Sequence, residues 1–335
     1  MSRLCFPDRG RPGGALRTPI AMLLLAACWG TPVALGQVPD DAGDSGPELE
    51  LPPDPPEAHL GFRPGEDYRV ADWSQVVRYM EALAAGSQRA RLDTIGRSTL
   101  DRPMLLLTIS DPANLERLED LQRIQSKLAD PRRIADATER AALIGDGRLV
   151  VLNTAAIHPT EVGATLAPLN IAYRLASGSD AATRKILEEA VVLIVPSLNP
   201  DGVDVVADWY RSSLGMPWEG EPPPFLYHHY SGHDNNRDWY AFTQAETVSA
   251  VEQVHNAWHP HIVHDIHQHE QWGSRFFVPP WLDPIEPNVD PLLVAGANAL
   301  GASIAWEMQR QGKAGVTIHA GYDAWGPARA YTHYH

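Results

Sequence analysis

Cysteine is nearly absent from this 335-residue sequence: there are two, Cys5 and Cys28, and both fall within the first 36 residues. A chain beginning at Gln37 therefore has no disulfide and no thiol nucleophile. Cations are scarce too, with 27 Lys+Arg against 42 Asp+Glu and a formal net charge of −15. That balance excludes nucleic acid as a partner, because phosphate contacts need clustered cations. No apolar run is long enough to span a membrane, and the chain shows no internal repeat. What it does have is 44% hydrophobic residues, enough for a sizeable core in one large domain or two small ones.

Residues 1–36 read as a targeting segment. Arg3, Arg9, Arg11 and Arg17 form a basic start, Ile20 to Ala27 an apolar centre, and Ala34-Leu35-Gly36 a small-residue cleavage site before Gln37. The expected location is secreted or periplasmic. Leu25-Ala26-Ala27-Cys28 is also similar to a bacterial lipoprotein box, and lipidation of Cys28 is the alternative, giving a membrane-anchored protein. Residues 37–66 are rich in Pro, Asp, Glu and Gly and read as a solvated linker. Residues 67–335 then form the domain.

Within that domain the periodicity predicts a helix over Trp73 to Ala85, a hairpin from Arg91–Ile95 and Pro103–Ile109, and charged helices from Pro112 to about Leu143. Apolar runs at Leu149–Leu152, Val191–Val195 and His261–Ile266 read as buried strands. Helices are expected between them, from about Thr160 to Ala176, over Ala181–Glu189 and over 243–258. Trp209 to Tyr230 reads as an aromatic, proline-rich loop. Strand–helix alternation of this kind predicts an α/β fold with a mixed, mostly parallel sheet and helices on both faces. Ligands of such sheets sit beyond the C-terminal strand ends.

His158 and Glu161 lie just past the Leu149–Leu152 strand, where it hands over to a helix. A histidine nitrogen and a carboxylate three residues apart there can face one point, which suits Zn²⁺. Alone, this spacing is equally that of a surface histidine and a helix N-terminal acid.

Three more short motifs follow: Asn199-Pro200-Asp201-Gly202, Asp234-x-Asn236-Arg237 and Asp265-x-His267. In this order and approximate spacing the set resembles the M14 zinc carboxypeptidases, over about residues 67 to 335. The resemblance implies one zinc per chain, held by His158, Glu161 and His267, with a fourth position left for water. It implies that Asp234 accepts a proton from the far nitrogen of His158. Asn236 and Arg237 would hold the terminal carboxylate of a peptide substrate with a free C-terminus, and Arg211 would stabilise the oxyanion. Tyr322 is the candidate for the tyrosine that covers substrate. His269 is an alternative ligand to His267, whereas His228, His229 and His233 read as part of a polar loop. Asn199-Pro200-Asp201-Gly202 reads as a structural turn.

Two departures from the family pattern stand out. Asp238 occupies the place where the family usually has Asn, setting a negative charge beside the expected carboxylate pocket. The family's general-base glutamate lies on a strand after the substrate-covering loop, and no Glu follows Glu307 here. Glu270 is too close to His267 to take that place. The expectation is therefore a fragment of a metallocarboxypeptidase whose last strand or strands, with the catalytic base, lie outside this sequence. A zinc- and peptide-binding relative without hydrolytic power is the alternative, as is a peptidoglycan-peptide amidase on the same scaffold. Side-chain specificity and oligomeric state are not legible.

Overall fold

The computed structural model describes residues 53–224, 227, 234–268, 274–282 and 288–320. The targeting segment with Cys5 and Cys28, and also Tyr322, His228, His229, His233, His269 and Glu270, lie outside the described residues.

The stretch expected as linker is partly structured. Pro55 and Pro56 start helix α1 (Pro56–Leu60), with proline in the first turn where no N–H is needed. Leu60 is buried in the main core, so the packed domain begins before residue 67. Helix α2 (Trp73–Ala85) follows, closed at its start by a capping box in which Asp72 accepts from Gln75 N and the Gln75 side chain returns to Asp72 N. Strands β1 (Ala90–Arg97) and β2 (Pro103–Ile109) pair as the expected antiparallel hairpin. Helices α3 (Leu118–Ala129) and α4 (Ala137–Asp146) lead to β3 (Leu149–Ala155). Next come α5 (Val162–Ser177), α6 (Ala181–Glu189), β4 (Ala190–Val195) and α7 (Pro200–Ser213). Helix α8 (Ala245–Ala250) continues through a wider π turn to Trp258 and feeds β5 (Ile262–Ile266).

The main sheet has the order β1-β2-β4-β3-β5. β3 is parallel to both β4 and β5, while β2 is antiparallel to β4 and to β1. All but β2 therefore point the same way, and the sheet is mixed and mostly parallel. Alternation along the central strands sorts the core into two layers. Leu105, Leu107, Val151, Val192 and Ile194 face α2 and α5. Leu106, Val150, Leu152, Val191, Leu193 and Val195 face Leu118, Leu121, Val254 and Trp258 on the other side. With both faces covered, β4 is apolar throughout (Ala-Val-Val-Leu-Ile-Val) and every residue is buried. A smaller core joins β6 (Phe276–Phe277), α9 (Pro291–Arg310) and β7 (Val316–Thr317), through Val278, Ile304, Ala305 and Met308.

This order fixes where a site can form. The connection leaving β3 runs to β4 on one side, and the chain later returns as β5 on the other side. Connections that diverge from adjacent parallel strands open a crevice at their C-terminal ends. In the register, Ala155 is opposite Ile266. His158 and His267 thus lie three residues and one residue past the paired ends of neighbouring strands.

Candidate metal centre

The loop leaving β3 begins with a strained residue. Ala156 is fully buried with φ 49°, a left-handed conformation that costs a non-glycine residue about 1–2 kcal/mol. Neighbouring contacts hold it there: Leu198 N donates to Ala155 O at 2.9 Å, and Ser197 Oγ donates to Ala156 O at 3.2 Å. The same segment starts α7, with Asn199 as its N-cap accepting from Gly202 N at 2.9 Å. The expected Asn199–Gly202 turn is therefore a helix start. Gly202 is required by closeness, since a Cβ there would stand 2.7 Å from Pro159 Cγ.

Past that bend the side chains converge. His158 Nδ1 lies 3.0 Å from Glu161 Oε1, and His267 Nδ1 lies 3.1 Å from Glu161 Oε2. The two imidazole centroids are 5.0 Å apart. The outer nitrogens face carboxylates: His158 Nε2 is 3.1 Å from Asp234 Oδ1, and His267 Nε2 is 2.7 Å from Asp265 Oδ2. Gln268 N donates to Glu161 Oε2 at 2.8 Å, and the Gln268 side chain accepts from Gly163 N at 2.7 Å. Glu161 is thereby fixed from the start of α5 and from the end of β5 at once.

His158, Glu161 and His267 each offer one donor atom, and these atoms lie within 4.8 Å of one another. Ligands of a tetrahedral zinc at 2.0–2.2 Å stand about 3.4 Å apart. Each histidine nitrogen already stands near this distance from a Glu161 oxygen, His158 from Oε1 and His267 from Oε2, so a small side-chain adjustment would bring both nitrogens and one oxygen around a single ion. Two imidazole nitrogens and one carboxylate oxygen are also the right donor chemistry, and the residues present fit the ion.

The electrostatics describe a cation site. Burial alone would lower the pKa of His158, but hydrogen bonds and charge from Asp234 and Glu161 outweigh it and raise the value to about 9. Burial would raise Glu161, but His158 and His267 bring it down to about 2. Asp234 is likewise brought to about 2 against its burial, mainly by His158. In the metal-free protein, therefore, a protonated His158 sits between two carboxylates. Its raised pKa gives stability that is complete below the ordinary 6.5 and is lost as pH rises through about 9. The lowered carboxylates give stability that is complete above about 4.5 and is lost as pH falls towards 2. Urea midpoints measured in excess chelator are expected to be highest between those limits and to fall between pH 7 and 9.5. A midpoint that stays level across the alkaline arm would contradict this arrangement of charges.

Other expected residues are placed differently. Arg211 lies in the last turn of α7, not in a loop, and the helix carries it about 16 Å from its own N-terminus. Its guanidinium is spent on Asp72 Oδ2 (2.9 Å) and Gln75 Oε1 (2.8 Å) at the start of α2. The structure therefore does not bring Arg211 to the cluster. Asn236 is buried, and its amide oxygen accepts from the Trp239 indole at 3.0 Å. Arg237 is half-buried on the same short helical turn, and its charge helps to lower Asp234. Asp238 does not face a pocket: it is fully buried and accepts from Thr243 N and Gln244 N at 3.0 Å each.

Two neighbours are missing from the expected set. Tyr227 is hydrogen-bonded to Thr160; burial and the charges of Asp234 and Glu161 push its phenol up to about 12, so it stays protonated at neutral pH. Asp265, the far partner of His267, is visible in the Asp-x-His alternation, but nothing in the sequence gives its role.

The zinc carboxypeptidase (M14) family model matches residues 76–326, about three quarters of the chain. A metallo-carboxypeptidase from Burkholderia cenocepacia is similar with a TM-score of 0.50 at 20% identity, covering 78% of this chain and 56% of that one. Carboxypeptidase A from Helicoverpa armigera gives 0.52 at 14% identity, covering 82% and 65%. Thrombin activatable fibrinolysis inhibitor gives 0.51 at 12% identity, covering 79% and 63%. At these identities the likeness shows the fold, and the chain spans less than two thirds of each of these structures. No curated protein matches by sequence.

Proposed function

The chain belongs to the M14 zinc carboxypeptidase family, and from that premise we propose that it serves a zinc-dependent carboxypeptidase acting on peptides with a free C-terminus. The observation that carries this reading is the convergence of His158, Glu161 and His267 at the C-terminal ends of β3 and β5. When bound there, zinc supplies polarisation of a carbonyl and activation of water at neutral pH.

The chain's own residues do the rest. His158 and His267 turn Nδ1 towards the centre because their Nε2 atoms face carboxylates. Glu161 closes the triangle. Arg237, whose charge acts on Asp234, lies on the turn that follows it, and a guanidinium suits the terminal carboxylate of a peptide. Asn236 supports that loop from beneath through Trp239. No helix among the described residues is long and apolar enough to cross a membrane, and the basic and apolar leader supports export.

Binding without chemistry is the alternative reading. Glu161, Asp234 and Asp265 are each engaged by a histidine, so none of the three is placed to act as general base. The test is to load the protein with zinc and titrate paired peptides, ending in a free carboxylate or in an amide, by calorimetry. One zinc per chain and at least tenfold tighter binding of the free acid are expected. Equal affinity for both peptides would overturn C-terminal recognition. Mass spectrometry of the same mixtures separates hydrolysis from binding, and a muropeptide arm identifies the amidase.

A further inference from the structure

We propose that Asp265 is a positioning residue for the metal, holding His267 so that its Nδ1 faces the ion. This rests on the zinc reading of the cluster and adds a residue to it. Asp265 lies on β5 between His264 and Ile266, where a buried carboxylate is costly unless it is fully bonded. It is so bonded. Oδ2 is 2.7 Å from His267 Nε2, and Oδ1 accepts from Thr154 Oγ1 at 2.6 Å. Thr154 is its direct partner in the β3–β5 register, so the sheet itself sets the height of the carboxylate. Alternation places residues 265 and 267 on one side, while His264 turns the other way to Asn153 Oδ1 at 3.0 Å.

The consequence is chemical. A neutral imidazole carries one proton, and a fixed anion beside Nε2 keeps it there. With zinc bound, the unprotonated Nδ1 would then face the ion. Asp234 does the same for His158. Asp234 and Asp265 thus hold the two imidazoles from outside, and an ion would sit on the inner side beside Glu161. Removing Asp265 leaves His267 free to turn or to present the protonated nitrogen, and outer partners of this type are worth about 10–100-fold in metal affinity.

The competing reading is that Asp265 only ties β5 to β3 through Thr154. Zinc affinity of the whole chain, measured by chelator competition, separates the two. Asp265→Asn is expected to weaken zinc 10–100-fold. Thr154→Val, which removes the strand tie but keeps the carboxylate, is expected to weaken it less than fivefold. Equal losses in the two variants, or an Asp265→Asn affinity within threefold of the unaltered protein, would overturn the proposal. Nitrogen-15 spectra of the zinc-loaded, unaltered protein test the same point without any variant. Coordination of His267 through Nδ1 with a slowly exchanging Nε2–H is expected, and coordination through Nε2 would sink it. An unaltered protein that takes up no zinc would instead refute the zinc reading and, with it, this extension.

Discussion

Glu161→Ala is expected to lower zinc affinity by about a thousandfold and also to destabilise the metal-free fold near neutral pH, where the ionised carboxylate is held by His158 and His267. Zinc held by a full ligand set is worth about 10–16 kcal/mol at neutral pH. Shared among three or four donors, one ligand accounts for about 4 kcal/mol, or three decades in affinity. Glu161 also touches both His158 and His267, so its loss loosens both rings. The helix it precedes does not depend on it, because the Glu161 side chain makes no capping bond at the start of α5. What α5 loses is a favourable charge near its N-terminus, about 0.3–1 kcal/mol. The metal-free fold also loses the contacts of Glu161 with His158 and His267, so zinc binding and stability are read separately. Elemental analysis after gel filtration, with chelator competition, should show loss of stoichiometric zinc in a variant that circular dichroism shows to be folded. Retention of one equivalent of zinc would remove Glu161 from the ligand set.

Much of the fold is legible in the sequence because its signals are local. The helices Trp73–Ala85 and Ala181–Glu189 carry their apolar spacing and caps within their own sequence. The apolar runs that form β3, β4 and β5 suit strands covered on both faces or at their ends. The three candidate ligands are legible as a set only through resemblance, since 106 residues separate Glu161 from His267 and spacing alone says nothing about their meeting. The departures have physical causes. Trp209-Tyr210-Arg211 reads as loop because of the aromatic and proline content that follows, yet Val203, Val206 and Ala207 already sit at helical spacing and are buried. Asn199 followed by proline is a helix-start signature that also fits a turn. Leu60 lies in an acidic, proline-rich stretch, and only tertiary contact reveals that it belongs to the core. Asn236 reads as polar and available, but Trp239, three residues on, claims its amide oxygen. Asp238 reads as a charge beside a pocket, but the backbone of Thr243 and Gln244 consumes it.

Asp201→Ala is expected to destabilise the protein by about 3 kcal/mol, although Asp201 touches neither histidine of the metal centre. Its side chain is 1% exposed and receives Ser98 Oγ at 2.5 Å, Leu100 N at 2.9 Å and Arg102 Nη1 at 3.0 Å. These donors come from the turn between β1 and β2, so one carboxylate on the first turn of α7 pins the whole hairpin end. Breaking a buried charge pair by removing one partner costs about 3–5 kcal/mol. Arg102 is 30% exposed and keeps Asp204 as a second partner, which puts the expected loss at the lower end. Ser98 is buried and its Oγ has no such recourse, and leaving it unsatisfied costs about 1–3 kcal/mol, whereas Leu100 is exposed and its N–H can turn to water. Asp201→Asn keeps one acceptor oxygen and should lose less than the alanine variant. The same helix start supports the metal loop, because Asn199 Nδ2 reaches Ile157 O and Asn235 Oδ1 at 3.4 Å each. Loosening α7 should therefore speed zinc release as well as lower the urea midpoint, whereas excess zinc should restore part of the loss by mass action. A free-energy change below about 1 kcal/mol in urea titrations of the metal-free protein would mean that other contacts hold the hairpin. The coupling from α7 to the metal loop would then have no mechanical basis.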